Sequence, residues 1–160
     1  MAAARLSPRL LATPVHFLAL GAGAGLAPRA PGTAGSLLGL VAGWLTFGWP
    51  FAARIALVAG TVLAGIWICG ASARRLGVHD HPGIVFDEIA GMLATLLAAT
   101  VLDFYELALA FVLFRFFDIV KPWPIRDVDH RLGGGLGIML DDLIAALYAA
   151  ICLTAAQLVF

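Results

Sequence analysis

Residues 111–127, FVLFRFFDIVKPWPIRD, decide how this sequence is interpreted. The segment begins with the composition of a membrane-spanning helix, yet it places Arg115, Asp118 and Lys121 among phenylalanine, isoleucine and valine. Charged side chains are costly inside an apolar span, and those found there are candidates for function. Two prolines then stop the helix, and the tryptophan between them is typical of a membrane–water interface. The segment therefore predicts a helix that ends in a polar site at the edge of a bilayer.

The amino-acid composition indicates an integral membrane protein. Of 160 residues, 62% are hydrophobic and 12% are charged, whereas a soluble domain carries about 25% charged residues. We assign residues 15–160 to a single membrane-embedded domain and residues 1–14 to a cytoplasmic N-terminal segment. The formal net charge of zero gives no reason to expect a nucleic-acid partner. Cys69 and Cys152 lack metal-ligand spacing, so we interpret both as small buried apolar residues.

Apolar runs of about 20 residues are needed to cross a bilayer. The sequence contains five candidates, which cover residues 35–50, 55–73, 85–102, 104–121 and 136–160. A further apolar segment, residues 16–26, is too short and too rich in glycine, so we predict a re-entrant or interfacial helix there. The expected fold is an all-α, polytopic membrane bundle with about five transmembrane helices.

The basic residues predict the orientation of this bundle, because Lys and Arg concentrate in cytoplasmic loops. If the five spans alternate in direction, Arg54 faces one side and Arg115 lies within a span. The other basic residues fall on the side of the N-terminus: Arg5, Arg9, Arg29, Arg74, Arg75, Lys121, Arg126 and Arg131. We therefore predict that the N-terminal side is cytoplasmic.

The same alternation brings five carboxylates to one depth, near the cytoplasmic boundary: Asp87, Glu88, Asp118, Asp141 and Asp142. Two acidic pairs lie near predicted helix starts, where the helix dipole contributes at most about 2 kcal/mol. Crowded acids repel by more than that, and oxygen-rich sites suit Mg²⁺, Mn²⁺ or Ca²⁺. The alternative is that these acids reach water or pair with Arg115, Arg126 and Arg131.

Cationic and hydroxyl side chains near these acids fit a phosphate group. The planar guanidinium of Arg115 can bind two phosphate oxygens at once, and the ammonium group of Lys121 supplies a point charge. The alternative is that both residues pair with Asp118 in a structural row of ion pairs along the helix. In the segment PGTAGS, residues 31–36, Thr33 and Ser36 could hold an anion at a helix start. Plain helix capping is the alternative there.

The loop segment HDH, residues 79–81, supplies two histidines ahead of the first acidic pair. Histidine at this position could donate a proton to a leaving alkoxide or accept one from water. Either side chain could instead cap the loop, and the sequence does not separate His79 from His81.

Four blocks of this sequence together resemble the bacterial phosphatidylglycerophosphatase A family: PGTAGS, GVHDHPGIVFDEIAGM, FRFFDIVKPWPIRDVD and GGGLGIMLDDLIAA. The resemblance implies a Mg²⁺-dependent phosphatase of the bacterial inner membrane that converts phosphatidylglycerophosphate to phosphatidylglycerol and phosphate. It maps family acids onto the five carboxylates named above. It maps the family's Thr, His, Arg and Lys onto Thr33, His79, Arg115 and Lys121, and it leaves residues 1–14 outside as a variable segment.

Our hypothesis is therefore lipid phosphate hydrolysis, with the five acids as metal ligands. Arg115 and Lys121 act on the phosphate with Thr33 and Ser36, and His79 or a carboxylate handles the proton. Attack by water and a phospho-aspartate route both remain open. A small cation or phosphate transporter is the alternative, although it predicts acids spread across the membrane depth. The sequence predicts no oligomeric state.

Overall fold

The computed structural model describes residues 6–101, 103–126 and 132–159, and all regular secondary structure in these residues is helical. The α-helices are α1 (Pro14–Ala19), α2 (Pro31–Thr46), α3 (Phe51–Leu76), α4 (Phe86–Thr95), α5 (Phe104–Val120) and α6 (Gly134–Val159). Short 3-10 helices cover Pro8–Ala12, Gly21–Leu26 and Leu96–Ala98. The prediction of an all-α fold is confirmed.

Helices α4 and α6 lie at the centre of the bundle. Helix α6 packs against α3, α4 and α5, and α4 also packs against α2 and α3. Helix α2 approaches α4 through glycines: a Cβ added at Gly39 would lie 2.7 Å from the carbonyl oxygen of Ile89. Phe114 fills the core between α4, α5 and α6, and Met139 fills a second core between α3, α4 and α6. Both central helices therefore have their positions fixed by close packing.

In the part of the chain that the structure describes, two helices have the length and composition to cross a membrane. These are α3 and α6, each with 26 residues and a mean hydropathy of 2.0. Helices α2 and α5 have 16 and 17 residues, somewhat short of the roughly 20 residues that a span needs. Large apolar side chains cover the outside of the bundle, including Leu63, Trp67, Val112, Ile119 and Leu158. A surface of this kind is typical of contact with lipid or with another protein.

The structure divides the predicted span 85–102 into a helix and an extended end. Helix α4 has 10 residues, and after the 3-10 turn Leu96–Ala98 the chain becomes extended at Ala99. The carboxylate of Glu106 accepts hydrogen bonds from the backbone N–H groups of Thr100, at 2.8 Å, and Val101, at 2.7 Å. The prediction of one continuous helix here is wrong because a buried side chain replaces the helical hydrogen bonds.

The segment predicted as re-entrant or interfacial, residues 16–26, forms two short helical pieces. Helix α1 ends at Ala19, and the 3-10 helix that follows is kinked at Gly23, where φ is 107°. The carbonyl oxygen of Ala19 accepts a hydrogen bond from the N–H of Val85 at 2.8 Å. Helix α1 also packs against α3. The backbone of this segment is therefore covered by protein.

Candidate active site

Three carboxylates from two helices form a compact, largely buried cluster, which we call the acidic cluster: Asp87 and Glu88 of α4 and Asp142 of α6. One oxygen from each lies within 4.8 Å of the others. Asp87 and Asp142 are 7% and 3% exposed. Asp87 and Glu88 lie in the first turn of α4, whereas Asp142 lies two turns into α6 and gains little from a helix dipole.

The acidic cluster has the donor set that a hard cation requires. Asp87 Oδ1, Glu88 Oε2 and Asp142 Oδ2 are buried, and no described residue donates a hydrogen bond to them. Two ionised carboxylates at this separation repel by about 3 kcal/mol at an effective dielectric constant of about 20. Oxygen ligands without competing donors are those that Mg²⁺ and Ca²⁺ bind. The residues therefore fit a divalent metal ion.

Arg115 of α5 lies beside the acidic cluster. Its Nη1 donates to Asp118 Oδ2 one helical turn away, lies 4.0 Å from Glu88 Oε1, and donates to Ser36 Oγ at 3.3 Å. Asp118 also lies next to Asp142. The i, i+3 contact expected between Arg115 and Asp118 is thus present, and it places the guanidinium at the rim of the carboxylates.

Lys121 brings the end of α5 to the site. It follows the last residue of α5 in a left-handed conformation, with φ 46° and ψ 61°, and its Nζ donates to Asp141 Oδ2 of α6 at 2.6 Å. All five acids predicted as metal ligands therefore gather in one region. Three of them form the acidic cluster, while Asp118 contacts Arg115 and Asp141 contacts Lys121.

The start of α2 closes one side of the site. The helix begins at Pro31, so Thr33 and Ser36 lie inside it and neither is its N-cap. Ser36 Oγ donates to the carbonyl oxygen of Gly32 at 2.9 Å and accepts from Arg115. Ser36 therefore holds Arg115 in place, while Thr33 stays half-buried in the first turn.

Gly32 brings the backbone of α2 close to Glu88. A Cβ added there would collide with Glu88 Oε1 and lie 3.1 Å from Arg115 Nη1. The sequence analysis did not single out this residue. The position of Gly32, directly after the proline that starts α2, was a local signal that the sequence offered. Nothing in the sequence linked it to Glu88, which lies 56 residues later.

The two histidines of the HDH loop occupy different environments. His81 Nδ1 accepts a hydrogen bond from the N–H of Gly83 at 3.0 Å, so it caps its own loop. His79 is exposed and lies beside Gly133, just before α6. The structure separates the two side chains, and the catalytic role predicted for His79 stays a prediction.

Two further buried polar groups were missed by the sequence analysis. Glu106 is 7% exposed at the opposite end of α5, where Gln157 Nε2 also donates to it. His16 Nδ1 lies 2.9 Å from Ser72 Oγ between α1 and α3. Burial and the positive charge of Arg75 lower the pKa of His16 below its usual value. These contacts join residues 51 and 56 positions apart, so no local pattern predicted them.

Over the described residues, the fold and the site together define an all-helical protein in which two helices have membrane length and a carboxylate site is bordered by Arg115 and Lys121. The family model for phosphatidylglycerophosphatase A matches residues 17–157. The chain belongs to the phosphatidylglycerophosphatase A family, and the predicted family and its enzyme class, a phosphatase, are confirmed.

Two relatives carry the name phosphatidylglycerophosphatase A. The protein from Haemophilus influenzae is 44% identical over 149 residues, which cover 92% of this chain and 91% of the relative. The protein from Escherichia coli is 41% identical over 140 residues, which cover 88% of this chain and 81% of the relative. No solved structure matches this chain.

Proposed function

We propose that this protein hydrolyses the terminal phosphate monoester of phosphatidylglycerophosphate, that it requires Mg²⁺, and that the reaction takes place at the cytoplasmic face of a bacterial inner membrane. The observation that carries the proposal is the acidic cluster, in which one oxygen from each of three carboxylates lies within 4.8 Å of the others and Arg115 lies 4.0 Å from Glu88. The names of the two relatives support the choice of lipid.

The acids of the site would hold the metal ion. Asp87, Glu88 and Asp142 offer oxygens without hydrogen-bond donors among the described residues, and Asp118 and Asp141 lie next to them. When bound, Mg²⁺ would supply positive charge that neutralises the phosphoryl oxygens. Without it, five carboxylates exceed the cations Arg115 and Lys121 by three, which would repel a phosphate dianion.

The cations of the chain would bind and orient the phosphate. Ser36 and Asp118 fix Arg115, so its guanidinium is ready to bind phosphoryl oxygens with little loss of rotamer freedom. Lys121, held by Asp141, adds a second positive charge. Fixed charges aimed at the phosphoryl group stabilise the charge that develops in the transition state.

Hydrolysis joins a water oxygen to phosphorus and breaks the bond between phosphorus and the glycerol oxygen. That oxygen takes up a proton, and the attacking water loses one. A carboxylate of the site or His79 would move these protons. A phospho-aspartate intermediate would form first if a carboxylate attacked, and acid quenching of enzyme treated with ³²P-labelled substrate distinguishes that route from direct attack by water.

The proposal includes five membrane helices, α2 to α6. Helix α4 is about 15 Å long and spans the bilayer only with the extended residues that follow it. Backbone at membrane depth needs partners, and here the carbonyl oxygens of Leu96 and Ala98 accept from Arg54 and Gln157. Impermeant maleimide labelling of single cysteines at Gly48 and Gly77, in a variant without Cys69 and Cys152, tests this: the two sites should label from opposite sides.

The activity is tested with purified protein and phosphatidylglycerophosphate in detergent micelles. We expect phosphate and phosphatidylglycerol in equal amounts with Mg²⁺, no release with EDTA, and recovery when Mg²⁺ is restored. Release that is insensitive to EDTA would contradict the metal requirement. An absence of hydrolysis together with Mg²⁺ or phosphate flux in liposomes would instead support a transporter.

A further inference from the structure

We propose that a groove beside the acidic site binds the internal phosphodiester of the lipid substrate, and that Arg126 is the specificity-determining residue of this subsite; this rests on the function proposed above. The groove has a volume of about 410 Å³ and follows the end of α5. It is lined by Val120, Lys121, Pro122, Trp123 and Arg126.

Lys121 connects this groove to the carboxylates. It lines the groove, and its Nζ is bonded to Asp141 Oδ2 at 2.6 Å. The turn is tied to α6 because Tyr148 donates its hydroxyl proton to the carbonyl oxygen of Trp123 at 3.1 Å. A ligand with one phosphate among the acids can therefore extend directly into a groove whose position is fixed.

The cationic side chains in this region differ in whether they contact a carboxylate. Arg115 contacts Asp118 and Glu88, and Lys121 contacts Asp141. Arg126 is exposed, and among the described residues no carboxylate lies within 4.0 Å of its guanidinium. Among the described residues this guanidinium has no carboxylate partner to lose before it binds a phosphate.

The chemistry of the lipid fits this arrangement from end to end. Phosphatidylglycerophosphate carries a terminal monoester and, one glycerol away, a phosphodiester with a single negative charge. With the monoester among the acids, the phosphodiester would extend along the groove that Lys121 and Arg126 both line. Trp123 is 77% exposed at the same turn, and an indole there suits the interface where the acyl chains begin. The groove therefore selects lipids in which a phosphodiester precedes the monoester.

The test compares wild type with Arg126→Gln and Arg126→Lys in mixed micelles. The KM for phosphatidylglycerophosphate should rise about tenfold in Arg126→Gln, since a charge-assisted hydrogen bond is lost. We expect kcat to change less than about twofold and the inhibition constant of inorganic phosphate, which needs only the acidic site, to stay unchanged. Arg126→Lys should recover most of the loss because it keeps the charge.

Arg9→Gln is the matched control, since Arg9 is an exposed basic residue outside the groove. An equal rise in KM in Arg9→Gln would assign the effect to general attraction of anionic lipid and overturn the subsite. An unchanged KM in Arg126→Gln would also overturn it, as would a matching rise in the inhibition constant of phosphate. If wild type does not hydrolyse the lipid at all, the proposed function itself fails.

Discussion

Buried carboxylates occur at both ends of this bundle, and their surroundings are opposite. Glu106 accepts hydrogen bonds from the N–H groups of Thr100 and Val101 and from Gln157. Asp87 and Asp142 at the other end each keep a buried oxygen that no described residue supplies with a donor. A carboxylate surrounded by donors fixes the fold, whereas carboxylates that face one another without donors offer the oxygen ligands that a cation would need. Burial is similar for Glu106, Asp87 and Asp142, so it does not distinguish a structural carboxylate from a candidate metal ligand. The number of hydrogen-bond donors around each carboxylate does.

The largest effect should follow a change in the acidic cluster. Asp142→Asn keeps the shape of the side chain but removes one charge, and phosphatase activity should fall more than about a hundredfold, since even changes next to metal ligands cost 10–100-fold. The melting temperature without metal should stay equal or rise, because repulsion is relieved. Phosphate release and thermal unfolding in detergent measure the two.

Asp103→Asn is the matched control for this change, because Asp103 is exposed and caps α5 by accepting from the N–H of Glu106 at 2.7 Å. Asparagine caps helices about as well as aspartate, so activity and stability should both persist. Equal losses in the two variants would remove the distinction between the two ends of the bundle.

Gly32→Ala tests whether the geometry of the acidic cluster matters as well as its charge. The added Cβ collides with Glu88 Oε1 and crowds Arg115, so activity should fall by about a hundredfold. Gly60→Ala is the control, since no atom lies within 4 Å of a Cβ added there. Wild-type kinetics in Gly32→Ala would mean that Glu88 moves without consequence and is not held for catalysis.

Glu106→Gln should give the reverse result of Asp142→Asn. The amide NH₂ of the new glutamine would face the backbone N–H groups of Thr100 or Val101, and two donors cannot form a hydrogen bond. The free energy of unfolding should therefore fall by about 2 kcal/mol. The specific activity of the folded fraction should change little, because Glu106 lies far along α5 from Arg115. Chemical unfolding in detergent, with activity normalised to folded protein, measures both. A lost activity at unchanged stability would contradict a structural role.

The smallest effect concerns His16, whose pKa is lowered in the folded state. The unfolded chain then binds the proton more readily, so stability is complete above the unfolded pKa of about 6.5 and declines as pH falls below it. From pH 7.5 to pH 5.5, the melting temperature of wild type should fall further than that of His16→Asn. We expect the difference between the two falls to be at most about 3 °C. Identical pH curves would mean that His16 does not contribute.

The sequence predicted the region of the site because alternating helices return their ends to the same side. That rule placed Asp87, Asp118 and Asp142 together without knowledge of how the helices rotate. It could not predict which acid meets which cation, since that depends on rotation about each helix axis. Lys121 meets Asp141 on another helix for this reason, although its spacing from Asp118 predicted a contact within α5.

Helix length was predicted less well than helix position. Hydropathy extended the third span to residue 102, while α4 ends at Thr95. The hydrogen-bond donors that hold Glu106 come from residues 100, 101 and 157. A helix that ends because a distant side chain captures its backbone leaves no trace in local apolar periodicity.

The backbone conformation of Lys121 carries a cost that its ion pair with Asp141 offsets. A left-handed conformation favours glycine, and other residues adopt it at a cost of about 1 kcal/mol. This protein nevertheless has an ammonium group at that position, in contact with Asp141. A glycine in its place would relax the main chain and leave Asp141 without this cation. Removing one partner of a largely buried ion pair costs more than that relaxation returns, so the glycine would weaken both the fold and the hold on phosphate.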